Sequence, residues 1–466
     1  MPSDLLRVLT GFYFYPRGGS AHACRAFAAE LERDGLEVTL LAGSRSDLGE
    51  HGSAQRFFSS SDLRPVDFTP ALRSPDPLGF EAGPGTAPMH ASYEDRPRAP
   101  DPVFATLADE AFEHQVEAWV AELERADAAD ADVLYLHHLT PLNEAAARVV
   151  PRIPVIGHIH GSELLMLERI LAGPPSGWVA AERWAERLCD WAAACSCIVV
   201  NSPEGLSRAS ALLDIDPSRF ELVANGFSPD FAPRRVERAA HWRRRLVAEP
   251  QGWAPDEDPG SVLYEESELA ALRGTTLLSV GRFTDVKRLG LLVEAFANAR
   301  ARFATPAALV LLGGYPGEWE GEHPLEAIER TGAENVFLAG WHPHAALPDF
   351  LNASDVLVHP SANEQFGQVL VEAMACGLPV IAVGRGGPAL IVDHGETGWL
   401  IPPDDREALE TALVEAVNDP TRRKRMGRAA RGEALESYTW SQLGARLAEL
   451  VREQSRGSRS AATGPA

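Results

Sequence analysis

Two glutamates separated by seven residues, Glu364 and Glu372, flank a glycine turn in the stretch Ser361 to Pro379, SANEQFGQVLVEAMACGLP. An ionised carboxylate only accepts hydrogen bonds and can hold two hydroxyls, which is what sugar recognition requires. Between the two acids, Gly367 has no Cβ. The backbone N–H groups of Gly367, Gln368 and Val369 can therefore face an anion at the positive end of the helix that follows. An anion flanked by two carboxylates suggests a phosphorylated polyol. The bland alternative is a capped surface helix carrying two solvated glutamates.

The flanking sequence says which elements position these groups. Asp355 to Pro360 is a short apolar run ended by Pro360 and reads as a buried parallel strand. Val369, Leu370, Ala373 and Met374 have helical spacing, and Gly377 followed by Pro379 is a stop signal. Glu364 is thus expected on a loop at a strand's C-terminal end, and Glu372 on the helix. Upstream, the strand Leu277 to Val280 runs directly into Gly281-Arg282-Phe283-Thr284-Asp285-Val286-Lys287. A guanidinium and an ammonium five residues apart suit a diphosphate, the first as a fork and the second as a point charge; otherwise they are two surface cations. Lys287 and Lys424 are the only lysines among 43 basic residues. A lysine kept inside a candidate site is either needed as an ammonium or there by chance.

The stretch resembles the signature of retaining glycosyltransferases of family 4, with Glu364 and Glu372 as its two glutamates. The resemblance extends to Gly18-Gly19, His160-Gly161, Asn225-Gly226, Val280-Gly281-Arg282 with Lys287, and the turn Gly395 to Gly398. Segments 47–105 and 236–273 do not match a minimal member. The resemblance implies an α/β protein of GT-B fold, two Rossmann-like doubly wound domains facing across a cleft. The C-terminal domain would hold the donor nucleotide and the N-terminal one mainly the acceptor. The implied reaction moves a sugar from a nucleotide diphosphate sugar, UDP-linked, to a soluble small-molecule acceptor such as a natural-product intermediate, with retention of configuration.

In that scheme Glu364 bonds donor sugar hydroxyls, Glu372 bonds the ribose, and His160 lies beside the donor sugar. Arg282 and Lys287 complete the catalytic set. Gly19, Gly281, Phe366, Gly367, Gln368 and Val369 join Glu372 in donor binding, while Gly18, Glu163 and Asn225 fall to the acceptor. The loop after Val336 to Trp341 would hold the base. No D-x-D constellation occurs where a metal would bridge the diphosphate. Arg282, Lys287 and the helix after Gly367 are then left to neutralise the departing charge, with no metal and no cofactor beyond the donor itself. The leaving phosphate would assist the acceptor's deprotonation on one face of the sugar. Two other classes stay open: a phosphorylase-like GT-B enzyme, for which Lys424 is a poor Schiff-base candidate, and a catalytically silent nucleotide-sugar-binding protein.

Opening elements agree with such a fold. Leu6 to Leu9 reads as a strand, Phe12 to Ser20 as a glycine-containing loop, Ala21 to Asp34 as an amphipathic helix and Glu37 to Ala42 as the next strand. The pair Gly18-Gly19 lets backbone amides approach a diphosphate or an acceptor. Nine prolines between Pro65 and Pro102 break the rhythm over 47–105, a loop excursion that is either disordered or an ordered wall around Phe57, Phe58, Phe68, Phe80 and Tyr93. His158 and His160 follow the strand at Val155 on one face, so a metal site with His137 or His138 is open alongside the sugar-binding role of His160.

With 466 residues, two domains are expected: 1–228, then 229–436, a returning helix 437–453 and a flexible tail 454–466. Five cysteines without C-x-x-C spacing suit a reducing cytoplasm. No apolar run approaches the roughly 18 residues of a membrane span, and the first residues do not read as a signal peptide. A net charge of −23 argues against nucleic acid and against stable association with an anionic membrane. The basic run Arg234 to Arg245 reads as a solvated helix face rather than a nucleic-acid patch, for want of interleaved aromatics.

Overall fold

Strands that read as continuous apolar runs should be covered on both faces, and in a computed structural model of the chain they form two all-parallel sheets. The structure describes residues 5–60, 62–94 and 99–462. One unit holds the chain up to Asn225 and takes it up again from Trp440; the other is Gly226–Thr439.

The first unit contains β1 (Arg7–Phe12), β2 (Glu37–Ser44), β3 (Asp62–Asp67), β4 (Val133–His137), β5 (Val155–His158), β6 (Cys197–Val200) and β7 (Phe220–Leu222). Their order is β3-β2-β1-β4-β5-β6-β7. The order reverses between β1 and β4, and the crevice beyond the strand ends at such a switch point is where open parallel sheets bind ligands. There the helix Gly18–Arg33 begins and His137 ends β4.

The second unit contains β8 (Thr275–Gly281), β9 (Ala307–Gly313), β10 (Val336–Gly340), β11 (Val356–His359), β12 (Val380–Val383) and β13 (Gly398–Ile401), in the order β10-β9-β8-β11-β12-β13. Its switch point lies between β8 and β11, the two strands that lead into Lys287 and Glu364.

The excursion over 47–105 is an ordered part of the first unit, apart from residues 61 and 95–98, which lie outside those described. Asp62–Asp67 pairs with β2 as the sheet's edge strand, a position that tolerates Pro65 because one side of the strand needs no ladder N–H. Phe58, Phe68, Met89, Tyr93 and Phe104 are buried. The ring of His90 packs between Phe14 at 5.2 Å and Phe68 at 4.8 Å.

The 236–273 segment is likewise bound to its own unit. Trp242 and Trp253 are buried, and Trp253 donates to the Gly314 carbonyl at 3.1 Å. The basic run presents the solvated face expected of it, with Arg234, Arg235, Arg243 and Arg244 exposed, and Arg234, Arg238 and Arg243 pair with Asp349, Asp355 and Glu266 at 2.6, 2.8 and 2.5 Å.

The helix Trp440–Ala462 closes the first unit. Leu447, Leu450 and Val451 join Val8, Phe27 and Val38 in one core, and Trp440 meets Phe27 edge-on at 5.1 Å. A Cβ on Gly444 would stand 2.2 Å from that of Glu30, so only glycine allows this approach of the two helices. The helix continues past residue 453, so 454–462 are helical where a flexible tail was expected; 463–466 lie outside the described residues. No helix among the described residues is long and apolar enough to cross a membrane.

Leu447 is fully buried, so Leu447→Ala should destabilise the first unit by about 2–5 kcal/mol, seen as a lower urea midpoint for its transition. The control Leu435→Ala, at a residue 44% exposed in the second unit, should shift stability by no more than about 0.5 kcal/mol. Equal effects would contradict the packing described.

Candidate active site

In the second unit, a single turn, Asp285–Lys287, follows β8 and carries Lys287 to the loop beyond β11. Lys287 Nζ donates to Glu364 Oε2 at 2.6 Å, and His359 Nε2 lies 2.9 Å from the same oxygen. Burial raises the Glu364 carboxyl, but the Lys287 ammonium and the His359 hydrogen bond outweigh it and hold the group far below the usual carboxylate range. Burial, with Lys287 nearby, lowers the imidazole of His359, so a neutral ring donates from Nε2. Glu364 Oε1 is left with no partner among the described residues. Lys287 and Glu364 stand out separately in the sequence; the fold brings them together as an ion pair and adds His359, which reads in the sequence only as a strand residue.

Backbone contacts lock this loop. Ala362 N–H donates to the Val286 carbonyl at 2.8 Å, and Gly387 N–H to that of Glu364 at 3.0 Å. A Cβ on Gly387 would sit 2.1 Å from the Phe366 carbonyl oxygen, so the glycine loop after β12 is what lets the two turns touch. Gly367 takes φ 94 as it enters the helix Gln368–Ala375, whose start has neither a side-chain cap nor an acid in its first turn. Phe366, expected among the donor-binding residues, turns its ring into the core against Tyr438 at 5.9 Å, leaving only its backbone for a donor. Glu372 is buried, with Oε1 2.7 Å from His344 Nε2 and 3.4 Å from Gln368 Nε2. Nothing in the sequence marks His344, although it lies just past the loop after β10 that the resemblance assigns to the base. Gly281 is held by Gly314 N–H at 3.0 Å, and Arg282 is exposed at the end of β8.

In the first unit, Gly18 takes φ 71 and, with Gly19, stands exposed at the start of the helix Gly18–Arg33. Beyond β4 and β5 four histidines cluster. Ligand atoms of His137, His158 and His160 lie within 4.8 Å of one another. Both ring nitrogens of His158 are already engaged, by Tyr135 Oη at 2.6 Å and Asn201 Oδ1 at 2.8 Å. Its ring stacks on His160 at 4.1 Å and 21°, and lone pairs lying in near-parallel ring planes do not converge on one ion. The geometry is that of a hydrogen-bonded stack, in which His137 Nδ1 and His160 Nε2 are 2.9 Å apart.

Glu163 was expected to face the acceptor. It is instead 1% exposed, and both oxygens are taken: Oε1 by His138 Nδ1 at 3.1 Å and His160 N–H at 3.2 Å, Oε2 by Gly161 N–H at 2.9 Å. From the first turn of the helix Ser162–Ala172 the Glu163 carboxylate reaches back to the N–H groups of His160 and Gly161, the latter at φ 104, and these local bonds occupy it. Asn225 is buried at the end of the unit, its Oδ1 without a partner among the described residues.

A doubly wound two-unit fold with a cation, a carboxylate pair and a free helix start at the switch point defines a class of nucleotide-handling α/β protein, and comparison with known proteins narrows it. The model described as Glycosyl transferases group 1 matches residues 264–433, and that described as Glycosyltransferase Family 4 matches 17–231. The chain belongs to the family 4 glycosyltransferases. It is 33% identical to alpha-maltose-1-phosphate synthase of Mycolicibacterium smegmatis over 52% of this chain and 58% of that one. It is 30% identical to D-inositol 3-phosphate glycosyltransferase of Rhodococcus jostii over 55% of this chain and 52% of that one. The chain thus spans little more than half the length of these curated relatives. Sucrose-phosphate synthase from Thermosynechococcus elongatus shares the fold with TM-score 0.65 at 19% identity, covering 96% of this chain and 98% of the other. Anabaena HepE, solved with UDP-glucose, does so with TM-score 0.63 at 18% identity, covering 96% and 100%.

Burial is the leading cause that lowers His137, His158 and His160, the second to about 4. The folded values lie below the unfolded one of about 6.5, so the unfolded chain binds more protons and stability rises with pH. The first unit should hold its full stability above about pH 6.5 and lose up to roughly 1.4 kcal/mol per histidine for each pH unit below it. Urea midpoints taken between pH 7.5 and 5 measure this, and a flat profile would contradict it.

Proposed function

We propose that the chain transfers a sugar from a nucleoside diphosphate sugar to a soluble small-molecule acceptor, with retention at the anomeric carbon and without a divalent metal. The observation that carries this is the Lys287–Glu364–His359 constellation beside the open helix start at Gly367. Incoming diphosphate draws the ammonium toward its oxygens, the helix amides take the remaining charge, and Glu364 turns its free oxygen to sugar hydroxyls. Glu372, oriented by His344, receives the ribose. His160 and Gly18-Gly19 of the first unit serve the sugar and the acceptor.

UDP is the proposed carrier. A relative whose name specifies GDP-mannose, 33% identical over 43% of this chain and 53% of its own length, makes GDP the competing choice. The names of two relatives, which mention alpha-maltose-1-phosphate and D-inositol 3-phosphate, support a phosphorylated sugar or polyol as the proposed acceptor class. Such a compound is soluble and can be assayed directly.

Calorimetry in EDTA with UDP and UDP-glucose, alongside turnover, tests the scheme. Lys287→Ala should weaken both ligands about ten- to a hundred-fold, the loss of one charge-assisted bond. Glu364→Gln removes the carboxylate that competes for Lys287, so UDP should bind as well as or better than to the parent protein while sugar transfer collapses. Equal loss of UDP in both folded variants, or turnover abolished by EDTA and restored by magnesium, would contradict the proposal. UDP-glucose bound but never cleaved would point to a silent binding protein.

A further inference from the structure

His359 is the last residue of β11, its side chain 3% exposed beside a Glu364 side chain that is 19% exposed. Nε2 lies 2.9 Å from Glu364 Oε2, the same oxygen that takes Lys287 Nζ at 2.6 Å. Glu364 is ionised and only accepts, so Nε2 carries the proton of a neutral ring and Nδ1 the lone pair. Nδ1 has no partner among the described residues and is not sealed from solvent. The charges that act on the ring are those of Lys287, from the turn after β8, and Glu364, from the loop that follows β11. β8 and β12, the strands on either side, carry no titratable residue, and the helix Gln368–Ala375 brings only Glu372, which His344 engages. Burial, and after it the repulsion of the ammonium, keep His359 neutral in the free protein, while the same ammonium keeps Glu364 charged.

We propose that donor binding makes His359 take up a proton from solvent, so that an imidazolium replaces the Lys287 ammonium as the cation paired with Glu364. The inference rests on the proposed function and deepens it. Once a diphosphate has drawn Lys287 away, Glu364 is a carboxylate largely out of water with one neutral donor, and removing one partner from such a pair is strongly unfavourable. An amide or hydroxyl side chain could also donate to Oε2; only an imidazole can add a charge there near neutral pH. A proton arriving at Nδ1 leaves the bond from Nε2–H to Oε2 in place and makes it charge-assisted, whereas a proton placed on Oε2 would displace it. Glu364 therefore stays ionised, with Oε1 open to sugar hydroxyls. Departure of the ammonium removes what repels a charge on the ring, which fixes the sign: protons are taken up, and donor affinity rises as pH falls.

UDP-glucose is the probe, or GDP-mannose where that binds instead, because the diphosphate of either lacks the terminal phosphate of a free nucleotide, which itself titrates at about pH 6. Calorimetry of the full chain in EDTA, without acceptor and in buffers of different ionisation enthalpy, should find roughly half to one proton taken up per donor at pH 6.5, and less at pH 8.5. Affinity should rise by at most about tenfold for each pH unit lowered, in the range above the free-protein value of His359, which lies below 6.5. Glu364→Gln, with no carboxylate to compensate, should bind the donor without uptake. In protein labelled with ¹⁵N at its 14 histidines, the ring identified by its absence in His359→Gln should pass from one lone-pair nitrogen to two protonated ones when donor is added. A purely structural hydrogen bond would move none of these readouts. Donor bound by the parent without proton exchange, with equal uptake in Glu364→Gln, or with the His359 ring still neutral would overturn the proposal and leave the transferase function standing. A parent protein that binds neither donor would instead overturn that function, and this coupling with it.

Discussion

A carboxylate drawn largely out of water, with an ammonium and an imidazole sharing one of its oxygens, is the interaction on which the second unit is arranged. Without Lys287 and His359, burial would drive Glu364 toward its neutral form; with them it stays an anion. The cost of that burial explains the surrounding architecture. β8 and β11 must be neighbours for the two loops to meet, and Val286 must take up Ala362 and Ser361. Gly387 must be a glycine for the next loop to support them. The pairing is also poised to change, since a diphosphate offers the ammonium a more highly charged partner.

The first unit repeats the device with different chemistry. Glu163 is deeper than Glu364 and is satisfied by His138 and two backbone amides instead of an ammonium. Around it the other three histidines are kept neutral by burial, so that stack is held by hydrogen bonds and ring contacts rather than by charge. Both carboxylates sit at the ends of central parallel strands, where helix starts supply N–H groups and the sheet order leaves a crevice.

Much of this is legible in the sequence because it is local. Strand ends, glycine turns and helix starts are written in consecutive residues, so Glu364, Glu372, Lys287 and His160 stand out by the pattern of their chain neighbours. What escapes is what depends on partners far apart in the chain. Nothing near His359 or His344 indicates that each meets a glutamate, because those contacts exist only once β8, β10 and β11 are aligned. β3 is hidden by Pro65, which is tolerated only because the strand lies at the sheet's edge, a fact of topology. Glu163 draws an acceptor role from its position after His160, whereas its burial follows from a histidine 25 residues earlier.

The central claim is that the Lys287 ammonium is held by Glu364 in the free protein and handed to the donor's diphosphate. With two lysines in the chain, a spectrum of protein labelled with ¹⁵N at the lysine Nζ contains only two side-chain signals, Lys287 and Lys424. Titration with UDP in EDTA should shift the Lys287 signal, identified by its absence in Lys287→Arg, and leave that of Lys424 in place. UDP that binds while both signals stand still would contradict the account.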